Sequence, residues 1–327
     1  MNFMLPFQIA KPATLFEHEH PVVLMGSCFT EHMSKRLEQC KFRTVNNPFG
    51  ILFNPISVVQ NLRKIIRKAT YTESDLFSLN ELWNSWDHHS DYSDINPNEA
   101  LSKINSTIGE THHFLQSSEW LIITLGSSYQ YFLTQEPKDY AVANCHRAPA
   151  SWFDKRLLSI TSITENLQQV IEELKAFNPQ LKIIFTISPV RHIRDGVVEN
   201  NRSKARLLEA VHQLVDDNAH CFYFPAYELA IDVLRDYRFY DVDMVHPNYA
   251  CTQFIWEQFV ASYFSEDCKK TADAMKEVAS AFAHRTRFPE TAAHQKFLEK
   301  YATKIEQLQK QYDYLDFSDE LEYFKGK

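Results

Sequence analysis

No two glycines in this chain of 327 residues stand closer than 17 positions, the interval between Gly109 and Gly126. The whole chain has six (Gly26, Gly50, Gly109, Gly126, Gly196 and Gly326), where average usage of about 7 % predicts roughly 23. Such spacing excludes the Gly-x-Gly-x-x-Gly turn of dinucleotide sites, the glycine-rich phosphate loop and the Gly-x-Ser-x-Gly nucleophile elbow, each of which needs glycines within a few residues. Collagen-like and glycine-rich disordered readings fall with them. Each remaining glycine is therefore a candidate for a place where a Cβ would not fit.

The chain is otherwise that of a globular protein with a sizeable core. Hydrophobic residues make up 44 % and charged residues 23 %, and the length predicts one large domain, or one domain plus an accessory piece. A net charge of −8 argues against a nucleic-acid partner. The first residues lack a basic stretch leading into an apolar run, and no 18-residue apolar stretch occurs, so neither a secretory leader nor a membrane span is expected. Six scattered cysteines, at 28, 40, 145, 221, 251 and 268, do not form a disulfide framework. The expected location is cytoplasmic.

Short apolar runs alternate with helical periods. Residues 21–25, 42–45, 120–125, 181–187 and 221–224 read as buried strands. Residues 30–40, 56–69, 98–115, 161–177, 203–217 and 248–264 read as helices, the one at 161 capped by Thr161 or Ser162. This alternation predicts an α/β fold with a parallel sheet covered on both faces. Residues 70–96 show no period and read as an irregular insertion; 129–133 and 140–143 read as a hairpin. Beyond 266, two helical patterns (268–283 and 289–313) form a C-terminal extension. Its stripe Phe297, Tyr301, Ile305, Leu308, Tyr312 and Leu315 packs on its own domain or on a second copy in a homodimer.

Ligands of open parallel sheets bind beyond the carboxyl ends of the strands. Five segments follow strands here: Gly26-Ser27-Cys28-Phe29-Thr30, Asn46-Asn47-Pro48-Phe49-Gly50, Gly126-Ser127-Ser128, Ser188-Pro189-Val190-Arg191-His192 and, further on, Asp241 to Pro247. In the first, Ser27 or Cys28 stands at a helix start, where free N–H groups favour a thiolate or an oxyanion. The bland reading makes Ser27 a cap and Cys28 a small buried hydrophobe. In the last, Asp243 three residues before His246 can orient the imidazole and leave its second nitrogen free as a base.

These motifs, with Asn144-Cys145-His146-Arg147 and Ser188-Pro189-Val190, resemble the GSCFA family of bacterial proteins over residues 1–265, with Thr30 where the family's name has alanine. That family is similar in turn to the SGNH, or GDSL-like, hydrolases. The resemblance implies a flavodoxin-like three-layer sandwich with strand order 2-1-3-4-5, and ester hydrolysis or acyl transfer without a cofactor. Gly26, Gly50, Gly126 and the Asp243/His246 pair match that pattern in order. Cys28, not Ser27, occupies the place of the Gly-Asp-Ser nucleophile. Ser128 replaces the asparagine that donates to the oxyanion, so Ser128 or Asn144, with backbone N–H groups near Cys28 and Gly50, becomes the expected donor set. His246 then takes the proton of Cys28 or Ser27, which attacks the acyl carbonyl of a small or carbohydrate-linked ester.

Other residues belong to the expected substrate side. Trp83 to Ser90, with His88, reads as a lid or sugar platform or as packing of the insertion. His146 presents a polar group to the rim or closes the hairpin. Arg191, His192 and Arg194 suit an anionic substrate or, in a coenzyme A-dependent transferase, the carrier. Ser203 and Lys204 stand at an expected helix start, with Ser203 as cap. No metal-ligand spacing occurs. A binding module that keeps the rim without the chemistry is the reading from another class, favoured by the absent asparagine.

Overall fold

The computed structural model describes residues 5–326; the first four residues of the leader reading lie outside them. Five parallel strands form the central sheet: β1 (Val22–Gly26), β2 (Thr44–Asn46), β5 (Trp120–Leu125), β9 (Lys182–Ile187) and β10 (Cys221–Phe224). Their spatial order is β10-β9-β5-β1-β2, which, counting these strands alone, is 2-1-3-4-5. Two smaller elements lie between them. The hairpin β3 (Phe77–Leu79) and β4 (Leu82–Asn84) forms one, and β6 (Tyr129–Leu133), β7 (Ala141–Val142) and β8 (Phe153–Leu157) form an antiparallel sheet ordered β7-β6-β8. The insertion at 70–96 is thus not irregular throughout, and β8 completes a sheet of which only the β6–β7 hairpin was expected.

The helices are α1 (Cys28–Gln39), α2 (Pro55–Ile66), α3 (Pro97–Gln116), α4 (Ile160–Phe177), α5 (Val197–Asp217), the single turn α6 (Ala226–Glu228), α7 (Tyr249–Tyr263), α8 (Glu266–Ala283), α9 (Ala292–Gln311) and α10 (Ser318–Lys325). Side chains alternate faces along a strand, and both faces are dry. Val22, Leu24, Trp120 and Ile122 face the core shared with α1, α7 and α8. Val23, Met25, Leu121, Ile123 and Leu125 face the core shared with α2, α4 and α5. Burial on both faces explains why the strands read as apolar runs rather than alternations.

Two helix starts differ from expectation. Ser159, not Thr161 or Ser162, caps α4, accepting the Ser162 N–H. Helix α5 begins six residues before Ser203, so Ser203 lies within the helix and caps nothing. Gly196 precedes it at φ +93.

The C-terminal stripe is spent within the chain. Ile305, Leu308 and Leu315 are buried with α8 residues Met275 and Val278, and Phe297 and Tyr301 pack against the same cluster. The ring of Phe324, from α10, stacks on Tyr301. Lys41, just past α1, pairs with Glu320 at 2.8 Å, and His18 links the carbonyl of Cys40 to the hydroxyl of Tyr314.

The register brings the strand ends level. Gly26 pairs with Thr124, Thr124 with Thr186, and Thr186 with Phe224. The segments after β1, β5 and β9 therefore leave the sheet side by side.

Candidate active site

Burial separates the two neighbouring candidates of the first rim segment, Ser27 and Cys28. Gly26 passes so close to β5 that a Cβ there would lie 2.3 Å from the carbonyl oxygen of Thr124. This contact sets the chain for the Ser27 N–H to donate to the same carbonyl at 3.1 Å. Ser27 is 1 % exposed, and its hydroxyl accepts the Phe29 N–H as the cap of α1. Cys28 follows as the first residue of the helix and is only partly buried. Burial and then Glu31 push its thiol up, while the N–H groups of Cys28 and Phe29 and the charge of Lys204 pull it down.

The last rim segment is a self-bonded loop. Asp243 Oδ2 lies 2.6 Å from His246 Nδ1, and its Oδ1 accepts the N–H groups of Val245 and His246 at 2.9 and 3.0 Å. Those backbone donors, with the imidazole after them, hold the carboxyl down to about 2. Met244 takes a left-handed conformation, φ +59, which lets the chain double back. Asp241 N–H donates to the His246 carbonyl at 2.8 Å, and Arg191 N–H to the Val245 carbonyl at 3.2 Å. The latter bond ties the loop to the segment that follows β9. Both side chains of the pair are about half exposed, and Nε2 of His246 has no protein partner among the described residues. Asp241, in the same loop, acts electrostatically on His32, one turn along α1 from Cys28.

The expected oxyanion donors are mostly engaged elsewhere. Ser128 is fully buried: its hydroxyl donates to the Ser203 carbonyl at 3.1 Å and its N–H to the Ser203 hydroxyl at 2.8 Å. It thus pins β5 to α5 instead of facing the rim. Gly50 N–H donates to the Asn47 carbonyl at 2.7 Å, closing its own turn. A Cβ on Gly50, at φ +77, would sit 2.2 Å from the Cβ of His89. Asn144 Oδ1 accepts the His146 N–H, leaving its amide nitrogen free. The donors at the start of α1 remain.

The histidines expected on the substrate side are structural. His88 is 1 % exposed, stacks on Phe49 at 4.4 Å and bonds Ser85 through Nδ1; burial pulls it down to about 3, so it is a neutral core imidazole rather than a lid. His146 bonds the Ser85 carbonyl through Nε2 at 2.8 Å and sits edge-on to Phe77 and Trp86. It fastens the end of the hairpin to the insertion. Trp86 itself stacks on Phe77, with centroids 3.6 Å apart.

The basic residues after β9 diverge. The guanidinium of Arg191 lies over the Tyr240 ring and lines a cavity of about 310 Å³ beside the Asp243 loop. His192 and Arg194 line another, of about 220 Å³, with Phe53, Tyr129 and Lys155. His192 packs on Phe53 over Gly126, where a Cβ would meet Phe53 at 2.9 Å and His192 Nε2 at 3.1 Å. Burial, then Lys204, His246 and Lys155, hold His192 down to about 4.

Lys204, expected beside Ser203 at a helix start, lies inside α5 instead, and its burial went unread. It is 1 % exposed, and its ammonium donates to the Ser188 carbonyl at the end of β9 at 2.7 Å. Its one sequence signal was a lysine three residues before Leu207, on the face that α5 buries. Among the described residues no group of three His, Cys, Asp or Glu side chains could hold a metal ion, and no helix is long and apolar enough to cross a membrane.

A parallel sheet of this order, covered by helices on both faces, with a partly exposed thiol opening the first helix and a carboxylate-bound imidazole just before α7, defines an α/β protein. The chain belongs to the GSCFA family, whose profile matches residues 21–259; the profile of the GSCFA domain protein, C-terminal domain, matches residues 275–327. No curated protein sequence matches it. Among solved structures it is similar to a carbohydrate esterase of family 3 from Talaromyces cellulolyticus, at 12 % identity and a TM-score of 0.37 over 79 % of this chain and 99 % of that one. It is also similar to a family 3 carbohydrate esterase from Clostridium thermocellum, at 9 % identity and 0.33 over 80 % and 99 %.

Proposed function

We propose that the protein is an ester hydrolase or acyltransferase acting on a small or carbohydrate-linked acyl group, with Cys28 as nucleophile and the Asp243/His246 pair as acid–base apparatus. The observation that carries this reading is the pair itself. An ionised carboxylate fixes Nδ1 of His246, and Nε2 is left free and accessible on the rim into which α1 also opens. Nothing in the packing needs such an exposed, doubly anchored pair, whereas a general base needs it.

Cys28 is favoured over Ser27 because Ser27 is enclosed and its oxygen already caps α1. In the proposed reaction His246 Nε2 takes the thiol proton as Sγ attacks the acyl carbon. The N–H groups at the start of α1 receive the negative oxygen. The imidazolium then protonates the leaving alkoxide, and the free imidazole activates water or an acceptor hydroxyl to break the thioester.

The test is turnover of p-nitrophenyl acetate and of acetylated sugars by the wild type and by Cys28→Ala, Ser27→Ala and His246→Ala. The reading requires loss in Cys28→Ala and His246→Ala with Ser27→Ala still active. Equal rates in all four remove it.

A further inference from the structure

Helix α2 starts at the rim with Pro55, and Lys64 stands near its far end, about 14 Å along the axis at 1.5 Å per residue. The Lys64 ammonium pairs with Asp87 and donates to the Tyr140 hydroxyl at 2.9 Å. Both phenols donate to the same carboxylate, Tyr71 at 2.7 Å and Tyr140 at 2.6 Å. Asn105 of α3 fixes the backbone of Tyr71 through its N–H and its carbonyl, at 2.7 and 3.0 Å. Residues of α2, the insertion and the hairpin are thereby locked together, and they line a cavity of about 460 Å³. That volume lies within the range of small-molecule sites, about 300–1,000 Å³. Asp87 and Tyr71 are buried at its inner side, whereas Asp75 and Glu136 line it from exposed positions. Phe77 and Trp86, stacked on each other and both partly exposed, supply an aromatic wall.

The lining groups restrict the occupant. One ammonium stands against three carboxylates, Asp75, Asp87 and Glu136, so an anion is repelled. A cation is no better placed on the inner side, where the Lys64 ammonium already sits against Asp87 and over the rings of Tyr71 and Tyr140. What the cavity leaves unused is hydrogen-bonding capacity. An ammonium has three N–H donors, and that of Lys64 meets two acceptors among the described residues. Asp75 uses Oδ2 to close the turn at Thr72. Its Oδ1 and the whole Glu136 carboxylate have no bonded partner among the described residues. A neutral polyhydroxylated ring satisfies all of these groups at once. Its hydroxyls donate to the two outer carboxylates, one of its oxygens accepts from Lys64, and its C–H face lies against the aromatic wall.

We propose that this cavity binds a neutral sugar through Lys64, Asp75, Glu136 and the Phe77–Trp86 pair, as a site separate from Cys28 and His246. None of these residues belongs to a rim segment, and the site does not depend on the proposed reaction. It returns part of the Trp83–Ser90 segment to the sugar side, through Trp86 rather than His88.

The experiment is calorimetric titration of the wild type with glucose, xylose, N-acetylglucosamine and cellobiose, with putrescine and inorganic phosphate as charged controls. Saturable binding of a neutral sugar and of neither control is expected. Asp75→Asn combined with Glu136→Gln, both exposed and close in shape, should weaken that binding roughly tenfold or more. Cys28→Ala should leave it unchanged. In NMR spectra the Trp86 indole N–H, assigned by its loss in Trp86→Phe, should move on titration with the sugar, while that of Trp120, buried in the sheet, stays in place. The proposal is overturned if no sugar binds, or if a charged control moves the Trp86 indole and the sugars do not. Binding that survives the double variant or leaves the Trp86 indole unmoved places the sugar elsewhere and also overturns it. Binding lost in Cys28→Ala assigns the sugar to the rim and has the same consequence.

Discussion

The turn bearing Ser27 and Cys28 takes its shape from the sheet: Gly26 is pressed against Thr124, the Ser27 N–H is bonded to the same residue, and the side chains around it are core. The loop bearing Asp243 and His246 shapes itself. One carboxylate accepts two backbone N–H groups and an imidazole in a stretch where both side chains of the pair stay half exposed. Substitutions in the first region should therefore disturb folding as well as chemistry, and substitutions in the second should disturb chemistry alone. Different causes lead in the two: desolvation raises the thiol and lowers Lys204 on the sheet side, whereas backbone donors lower Asp243 on the loop side.

The largest expected effects are catalytic. Cys28→Ala and His246→Ala should each reduce kcat/KM for a small ester by about 10³- to 10⁴-fold, and the double variant by little more, because the two act as one unit. Asp243→Asn should cost roughly 10²- to 10⁴-fold by loosening the tautomer of His246. Steady-state kinetics check all three. Thermal melts of His246→Ala should stay within about 1 °C of wild type; a large drop would show that the loop is structural after all.

Stability changes come next. Gly26→Ala should destabilise by about 3 kcal/mol or more in urea unfolding, since the new Cβ would lie 2.3 Å from a backbone oxygen that cannot yield. Gly109→Ala is the control of opposite sign: it lies within α3, and its Cβ would meet only the flexible end of Lys68 at 3.9 Å. It should stabilise by about 0.5–1 kcal/mol. Ser27→Ala should cost about 1 kcal/mol through the lost cap while keeping most of the turnover; turnover falling with that of Cys28→Ala would move the nucleophile back to Ser27.

Acid separates the regions by the smallest margin. His88, under the second rim segment, is held neutral down to about 3. The unfolded chain takes up that proton near 6.5, so stability is present above that pH and is lost progressively as the pH falls toward 3. Between pH 6.5 and 5.5 the loss from this residue is about 1 kcal/mol, and His88→Gln should lack it in pH-dependent urea titrations. Asp243 stays ionised to about 2, so the loop should outlast the packed side as the solution is acidified.

Much of this was legible from residue order. Buried parallel strands appear as apolar runs, and β1, β5, β9 and β10 fall within a residue or two of the expected places. The Asp-x-x-His spacing announces its own hydrogen bond because it closes within four residues. What escaped notice depends on contacts across long separations. The segment 153–157 is half polar and becomes β8 only because β6 offers it an edge. His88 and His146 looked like binding residues because polar side chains in an aperiodic stretch carry no sign of whether a neighbour will cover them. Ser128 had the position of an oxyanion donor, yet its side chain was claimed by Ser203, 75 residues away.

The sparing use of glycine shows the same division. By itself the sequence ruled out glycine-rich phosphate and dinucleotide loops and set the succession of strands and helices, because these depend on local spacing and periodicity. It placed Gly26, Gly50 and Gly126 just beyond strands. Only the tertiary structure decided that these three are crowded by Thr124, His89 and Phe53 with His192, while Gly109 and Gly196 are not. It also decided that Ser27 caps while Cys28 is left partly open, and that Lys204 is buried at the strand ends. Those outcomes follow from which distant atoms share a volume once two faces of a sheet are covered, and that is a property of packing rather than of any stretch of the chain.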